Sequence, residues 1–180
     1  MIYMFLADGF EEVEALCPLD ILRRAGLEVT TVGVGGKDMI IGSHGIAIQT
    51  DIPDVMYRDS APDMVIFPGG MPGATNLDES DFTDKIISAV TVNGGRLAAI
   101  CAAPLILGRR GLLEGKEATC YPGFEQELRG AKISNKSVVT DGNITTARGM
   151  GVALEFAEEL VALCLGKEKA DKISKAICKE

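Results

Sequence analysis

The chain has a single histidine, His44, and no tryptophan, and aromatic residues make up only 5% of its 180 positions. One imidazole leaves one possible base for any Cys–His or Ser–His mechanism. Its five cysteines, Cys17, Cys101, Cys120, Cys164 and Cys178, are odd in number and include no CxxC pair. That spacing excludes a zinc ribbon and a disulfide framework, and points to reduced thiols in a reducing compartment. Positive charge is also scarce: 18 Lys and Arg against 26 Asp and Glu give a net charge of −8. Nucleic acid and anionic membrane surfaces are thereby excluded as partners, because both bind basic patches. There is no basic leader segment and no apolar run of membrane-spanning length, so a cytoplasmic protein is expected. GxGxxG and the Walker lysine are missing too, which leaves nucleotide binding unsupported.

What is present is aliphatic. Hydrophobic residues make up 47% of the chain, enough at this length for one domain over residues 1–180 with a real core. Continuous apolar runs at Ile2–Ala7, Met64–Phe67 and Leu97–Ile100 read as strands buried on both faces. Helices are expected over 11–25, with Val13, Leu16, Ile21 and Leu22 inward and Pro18 as a kink point, and over 81–92 after a Ser80 cap. A further helix over 152–165 would bury Val152, Phe156, Leu160, Leu163 and Cys164, and a charged one would follow over 167–179. Ser43-His44-Gly45 and Asp141-Gly142-Asn143 read as hairpin turns. Alternation of strands and helices implies a mostly parallel sheet covered by helices on both faces, with ligands at the carboxyl ends of the strands.

Three loops gather at that end. The first carries Cys101, where a strand meets Ala102-Ala103-Pro104 and a helix. This is the layout of a nucleophile elbow, and a helix mouth is expected to lower the thiol pKa. The second carries Glu11-Glu12-Val13-Glu14. Glu11 and Glu12 read as first-turn acids, whereas Glu14 is the candidate to face the strand ends, lose water and carry a proton. The third, Pro68-Gly69-Gly70-Met71-Pro72-Gly73, reads as an open loop whose bare amides, with that of Ala102, can form an oxyanion hole.

Ala7–Glu14, Phe67–Ala74 with Asn76-Leu77, Ala98–Pro104, Ile21–Gly26, Thr145–Gly149 and Glu155–Ala157 together resemble the DJ-1/ThiJ/PfpI superfamily, closest to its small ThiJ-like branch. The resemblance spans nearly the whole chain. It implies a flavodoxin-like α/β three-layer sandwich, of the class I glutamine amidotransferase-like kind, and a homodimer. It also implies a reactive Cys101 beside a protonated Glu14, with Gly70 and Ala102 supplying amides and Gly69 next to them. Activities attributed to such proteins include glyoxalase III, deglycation, oxidative-stress sensing and chaperoning. One departure stands out: many relatives have a histidine where this chain has Tyr121, in Thr119-Cys120-Tyr121-Pro122. A phenol is a poor base near neutral pH, so Tyr121 is expected to orient substrate, and peptidase chemistry loses its imidazole. His44 and Arg24, with Arg23, are the basic residues with a chance of reaching the pocket or a dimer seam.

The expectation is an enzyme on small α-oxoaldehydes, taking methylglyoxal to lactate, with catalytic Cys101, Glu14 and Tyr121 and with no metal or organic cofactor. The alternative is a non-enzymatic redox sensor or chaperone using the same cysteine. A Cys hydrolase comes last.

Overall fold

The structure is a computed structural model and describes residues 1–59 and 61–179. Its elements run β1 (Ile2–Leu6), α1 (Glu12–Arg24), β2 (Val29–Gly33), β3 (Met39–Ile41), β4 (Ala47–Gln49), β5 (Ile52–Pro53) and β6 (Met64–Phe67). There follow α2 (Gly73–Asp78), α3 (Asp81–Val92), β7 (Arg96–Ile100), α4 (Pro104–Arg109), β8 (Glu117–Ala118) and β9 (Lys132–Ile133). The chain ends with β10 (Val138–Asp141), β11 (Ile144–Ala147), α5 (Ala153–Leu165) and α6 (Lys167–Ala176).

Seven strands form one sheet in the order β10-β11-β7-β6-β1-β2-β5, parallel throughout except for edge strand β10. Alternation along the strands divides the core in two. Tyr3, Phe5, Val65, Phe67, Leu97 and Ala99 face α2, α3 and α4. Ile2, Met4, Leu6, Met64, Ile66, Ala98 and Ile100 face α1, α5 and α6. Both faces are covered, which is why these strands read as unbroken apolar runs. The expected sandwich is therefore the observed one.

The chain passes from β1 to β2 on one side and reaches β6 on the other. The crevice between β1 and β6 is thus a topological switch point, where loops leave in opposite directions and open space for a ligand. Hairpin β3–β4 folds over this end: Gly9 N–H donates to Ile41 O at 2.7 Å and Ser43 N–H to Phe10 O at 2.8 Å.

Three expectations need correcting. Helix α1 runs through Pro18 as expected, but it is rolled: Glu12, Glu14 and Ala15 are buried, while Val13 and Leu16 face outward. Polar partners inside the fold hold the two glutamates in. Cys164 is exposed rather than core, because α5 buries Ala153, Phe156, Ala157, Leu160 and Val161 instead. Finally, Gly73–Asp78 is helix, not loop.

Candidate active site

Cys101 lies directly after β7, with a φ of 66°. An L-residue pays about 1–2 kcal/mol for this left-handed conformation. Strand β11 and the loop after β8 hold it there: Cys101 N–H donates to Ala147 O at 2.9 Å, and Cys101 O accepts from Tyr121 N–H at 2.8 Å. The strained turn lifts the side chain out of the sheet into the switch-point crevice, where backbone amides of Ala102 and Gly70 reach the sulfur.

Glu14 arrives from α1 on the opposite wall. It is only 1% exposed, and its Oε2 accepts from Gly69 N–H at 3.0 Å. Burial pushes its carboxyl up to about 7; Glu11 adds to the rise, while the Cys101 thiol and the amides of Gly69 and Met150 oppose it. The thiol and the Met150 amide lie near, yet Oε1 has no aligned hydrogen-bond partner among the described residues. The expected low thiol pKa is not found. Burial, the Glu14 charge and its hydrogen bonding push Cys101 up to about 12, against the pull of the Ala102 and Gly70 amides. Helix α4 is six residues long, too short a dipole to overcome desolvation.

Gly69 lets these walls meet. A Cβ there would lie 2.6 Å from Glu14 Oε2, 2.7 Å from Cys101 Cβ and 2.8 Å from Ile100 O. Gly69→Ala is expected to cost about 1–3 kcal/mol, as overpacking against fixed neighbours does, and to separate Cys101 from Glu14. Urea unfolding midpoints and iodoacetamide rates at Cys101 check both effects; a variant matching the wild type in both contradicts the packing described.

The structure thus brings together Cys101, Glu14, Gly69, Gly70 and Ala102. Tyr121 borders them: its ring edge flanks Gly149, which lies between it and Glu14. Gly149 stands in the sequence only as part of the family-like stretch Thr145–Gly149, and neither it nor Met150 is singled out there as a site residue. The signal was topological: Ala147 of β11 pairs with Ile100 of β7, so the chain leaves β11 beside Cys101.

The basic candidates lie elsewhere. Arg24 pairs with Asp20, and Arg23 bonds Asp51 and Val29 O, so neither enters the crevice. The exposed His44 ring meets Ser43 and Glu12, with Nδ1 at 2.8 Å from Glu12 Oε2, and its pKa is raised by that bond and charge. Glu12 therefore does more than start a helix. Its carboxylate is covered by the hairpin loop and also accepts from His44 N–H at 2.7 Å. Burial opposes ionisation, but bonds from the His44 ring and amide outweigh it and lower Glu12 to about 2. Glu11, Glu12 and His44 have ligand atoms within 4.8 Å of one another, the spacing a cation needs. Glu11 is already used as the α1 cap, accepting from Glu14 N–H at 2.7 Å, and the other two bind each other. The trio is a latch between helix and hairpin.

A mainly parallel sandwich with a strained cysteine at a strand end and an enclosed glutamate beside it defines a cysteine-centred α/β protein of the flavodoxin-like kind. The chain belongs to the DJ-1/PfpI family, whose model matches residues 1–163. It is 36% identical over 176 residues to protein dj-1beta of Drosophila melanogaster, covering 97% of this chain and 94% of that one. It is 31% identical over 170 residues to glutathione-independent glyoxalase DJR-1.2 of Caenorhabditis elegans, covering 93% and 90%. The solved structure of oxidized Toxoplasma gondii DJ-1 superposes with a TM-score of 0.94 at 31% identity, covering 98% and 97% of the chains.

Proposed function

We propose that this chain is a cytoplasmic, cysteine-dependent enzyme on small α-oxoaldehydes, converting methylglyoxal to lactate without glutathione. The observation that carries the reading is the enclosed Cys101–Glu14 pair, with Gly70 and Ala102 amides aimed at its sulfur. The relative named a glutathione-independent glyoxalase supports it. In the reaction, Glu14 takes the thiol proton as the sulfur bonds the aldehyde carbon, and the Gly70 and Ala102 amides hold the resulting oxyanion. Glu14 returns that proton to the oxyanion, giving a hemithioacetal. Again a carboxylate, it takes the hydrogen of the aldehyde carbon as a proton. The hydroxyl proton passes to the ketone oxygen through the enediol, and Glu14 delivers its proton to the neighbouring carbon. The aldehyde carbon is oxidised to a thioester while the ketone is reduced to an alcohol. Water cleaves the thioester, giving the 2-hydroxy acid and restoring the thiol. Tyr121 borders the substrate. These steps require no metal or organic cofactor.

A glutamate near 7 suits this role, because a general base works best with a pKa near the working pH. The sensor alternative needs a standing thiolate, and burial beside the Glu14 carboxyl disfavours one at Cys101. A peptidase needs an imidazole, and the one histidine is engaged with Glu12 and Ser43. The test is lactate formation from methylglyoxal by the purified chain. A rate no higher than that of Cys101→Ala overturns the reading.

The same proposal includes a homodimer. Val13 and Leu16 on α1 and Ile46 beside the hairpin are exposed and border one shallow groove, an apolar face of the sort that associates. Sedimentation velocity is expected to show a dimer for the wild type and a monomer for Leu16→Glu. A monomeric wild type removes the dimer from the proposal.

A further inference from the structure

The β3–β4 hairpin stands apart from the main sheet. It forms its own two-stranded sheet, and of its strand residues only Ile40 is buried. Two strands alone are marginal in water, so the hairpin's place depends on what fastens it. One end is tied by Asp8, whose Oδ1 accepts from Ile41 N–H at 3.0 Å and whose other oxygen pairs with Lys37. The other end closes over the Glu12 carboxylate, which is 5% exposed. That carboxylate accepts from His44 N–H at 2.7 Å and Ser43 Oγ at 3.3 Å, and it meets the His44 ring at 2.8 Å. A Cβ on Gly42 would lie 2.3 Å from Glu12 Oε1, so glycine there lets the loop close this far.

What the hairpin steadies is the Gly70 amide, one of the two that reach the Cys101 sulfur. Through Ile41 O and Ser43 N–H it fixes the segment Gly9-Phe10-Glu11 from one side. From the other side that segment meets the glycine loop. Glu11 N–H donates to Gly69 O at 2.8 Å, and Gly73 N–H to Gly9 O at 3.1 Å. No gap separates the two: a Cβ on Gly70 would lie 2.3 Å from Glu11 N and 2.6 Å from Gly9 O. Close-packed backbone transmits displacement, so a shift of the hairpin shifts the Gly70 amide.

We infer that Glu12 and His44 are positioning residues for Cys101: by fastening the hairpin they hold the Gly70 amide on the sulfur, most firmly while the His44 ring is protonated. The charged groups facing the ring are Glu12 and Glu11, both on α1, and Ser43 is its neighbour on the hairpin. The bond and charge of Glu12 raise the ring above its ordinary 6.5, while Glu12 itself stays ionised. With the ring protonated the bond to Glu12 is charge-assisted. Once the ring is neutral, a bond about half as strong remains. At the hairpin's other end the Ile41 amide and Lys37 keep Asp8 low, so that tie holds its charge throughout. This positioning acts on the sulfur whatever the substrate, and so goes beyond the oxoaldehyde chemistry.

The experiment is site-resolved alkylation of Cys101 by iodoacetamide from about pH 6 to about pH 9. It compares the wild type, His44→Arg, His44→Gln, and His44→Arg combined with Glu12→Gln. All four carry Glu14, so its titration cancels in ratios taken at each pH. Arginine stays charged throughout. His44→Arg is therefore expected to match the wild type at about pH 6 and to react about fivefold faster at about pH 9. His44→Gln is expected to react about fivefold slower than the wild type at about pH 6 and to match it at about pH 9. Adding Glu12→Gln to His44→Arg removes the advantage although the cation remains, which separates a fastened hairpin from a charge acting on the thiol through space. The His44 ring is 72% exposed, so its replacement spares the core, and Cys164 on α5 is expected to alkylate equally in all four. Ratios that stay flat with pH, or a double variant as fast as His44→Arg, overturn the positioning. Absence of methylglyoxal turnover counts against the oxoaldehyde chemistry alone, because alkylation reads Cys101 without it.

Discussion

Cys101→Ala and Glu14→Gln are each expected to lower kcat/KM for methylglyoxal by at least about 1,000-fold, and the double variant to lose little more. In the proposed reaction the two groups act as one unit: the sulfur forms the bond and the carboxyl moves the proton between the reacting carbons, so removing either stops the same step. In the wild type the rate is expected to rise with pH through about 7, where burial has placed the Glu14 carboxyl. That rise marks loss of the pair's first proton. A thiol beside a carboxylate and a thiolate beside a carboxylic acid hold the same number of protons, so both forms give the same profile. With glutamine at position 14 the inflection near 7 disappears. Only the thiol's own ionisation then remains, with burial still holding it high. Rates of methylglyoxal turnover and of iodoacetamide alkylation, both followed against pH, check this. A Glu14→Gln enzyme retaining more than about a tenth of wild-type activity removes Glu14 from the mechanism.

The frame of this site was legible because it rests on local signals. Apolar runs at Ile2–Leu6 and Met64–Phe67, and the small residues after Cys101, specify strand, turn and helix without distant help. The rolled face of α1 was not legible, because apolar periodicity assigns Val13 and Leu16 to the core. What reverses it lies far along the chain: His44 holds Glu12 from 32 residues away, and Gly69 holds Glu14 from 55 away. Helix α2 was hidden for a related reason. Gly73 and Asn76 are weak helix formers, and the segment is fixed by tertiary bonds from Gly73 N–H to Gly9 O and from the Asn76 side chain to Asp8 O. The thiol's ionisation failed differently. Sequence shows that a helix follows Cys101, but not that the helix is six residues long or that Glu14 closes over the sulfur. The dipole was visible and the desolvation was not.

That desolvation should also be measurable as lost stability. Glu14 is pushed up to about 7 in the folded protein from an ordinary value of 4.5, chiefly by burial. The folded state therefore holds a proton that the unfolded chain releases between these values. The sign follows: the contribution is fully present below about pH 4.5 and is lost as pH rises through about 7. Its full size is about 3 kcal/mol, because each tenfold change in proton affinity is worth about 1.4 kcal/mol. Glu14→Gln cannot ionise and keeps a carbonyl for the Gly69 N–H. Relative to wild type it is expected to gain stability from about pH 4.5 to about 7 and to keep that gain above, by up to about 3 kcal/mol. Comparing the two proteins at each pH cancels every other carboxylate, since both chains carry the same ones. Urea unfolding of each across that range supplies the difference directly, and a difference that stays flat means Glu14 ionises in the fold as it does in water. The substitution that stabilises the protein at pH 8 is also the one expected to abolish turnover. A buried, ionising carboxyl at this position serves the proposed chemistry at Cys101, which needs a base with its pKa near 7.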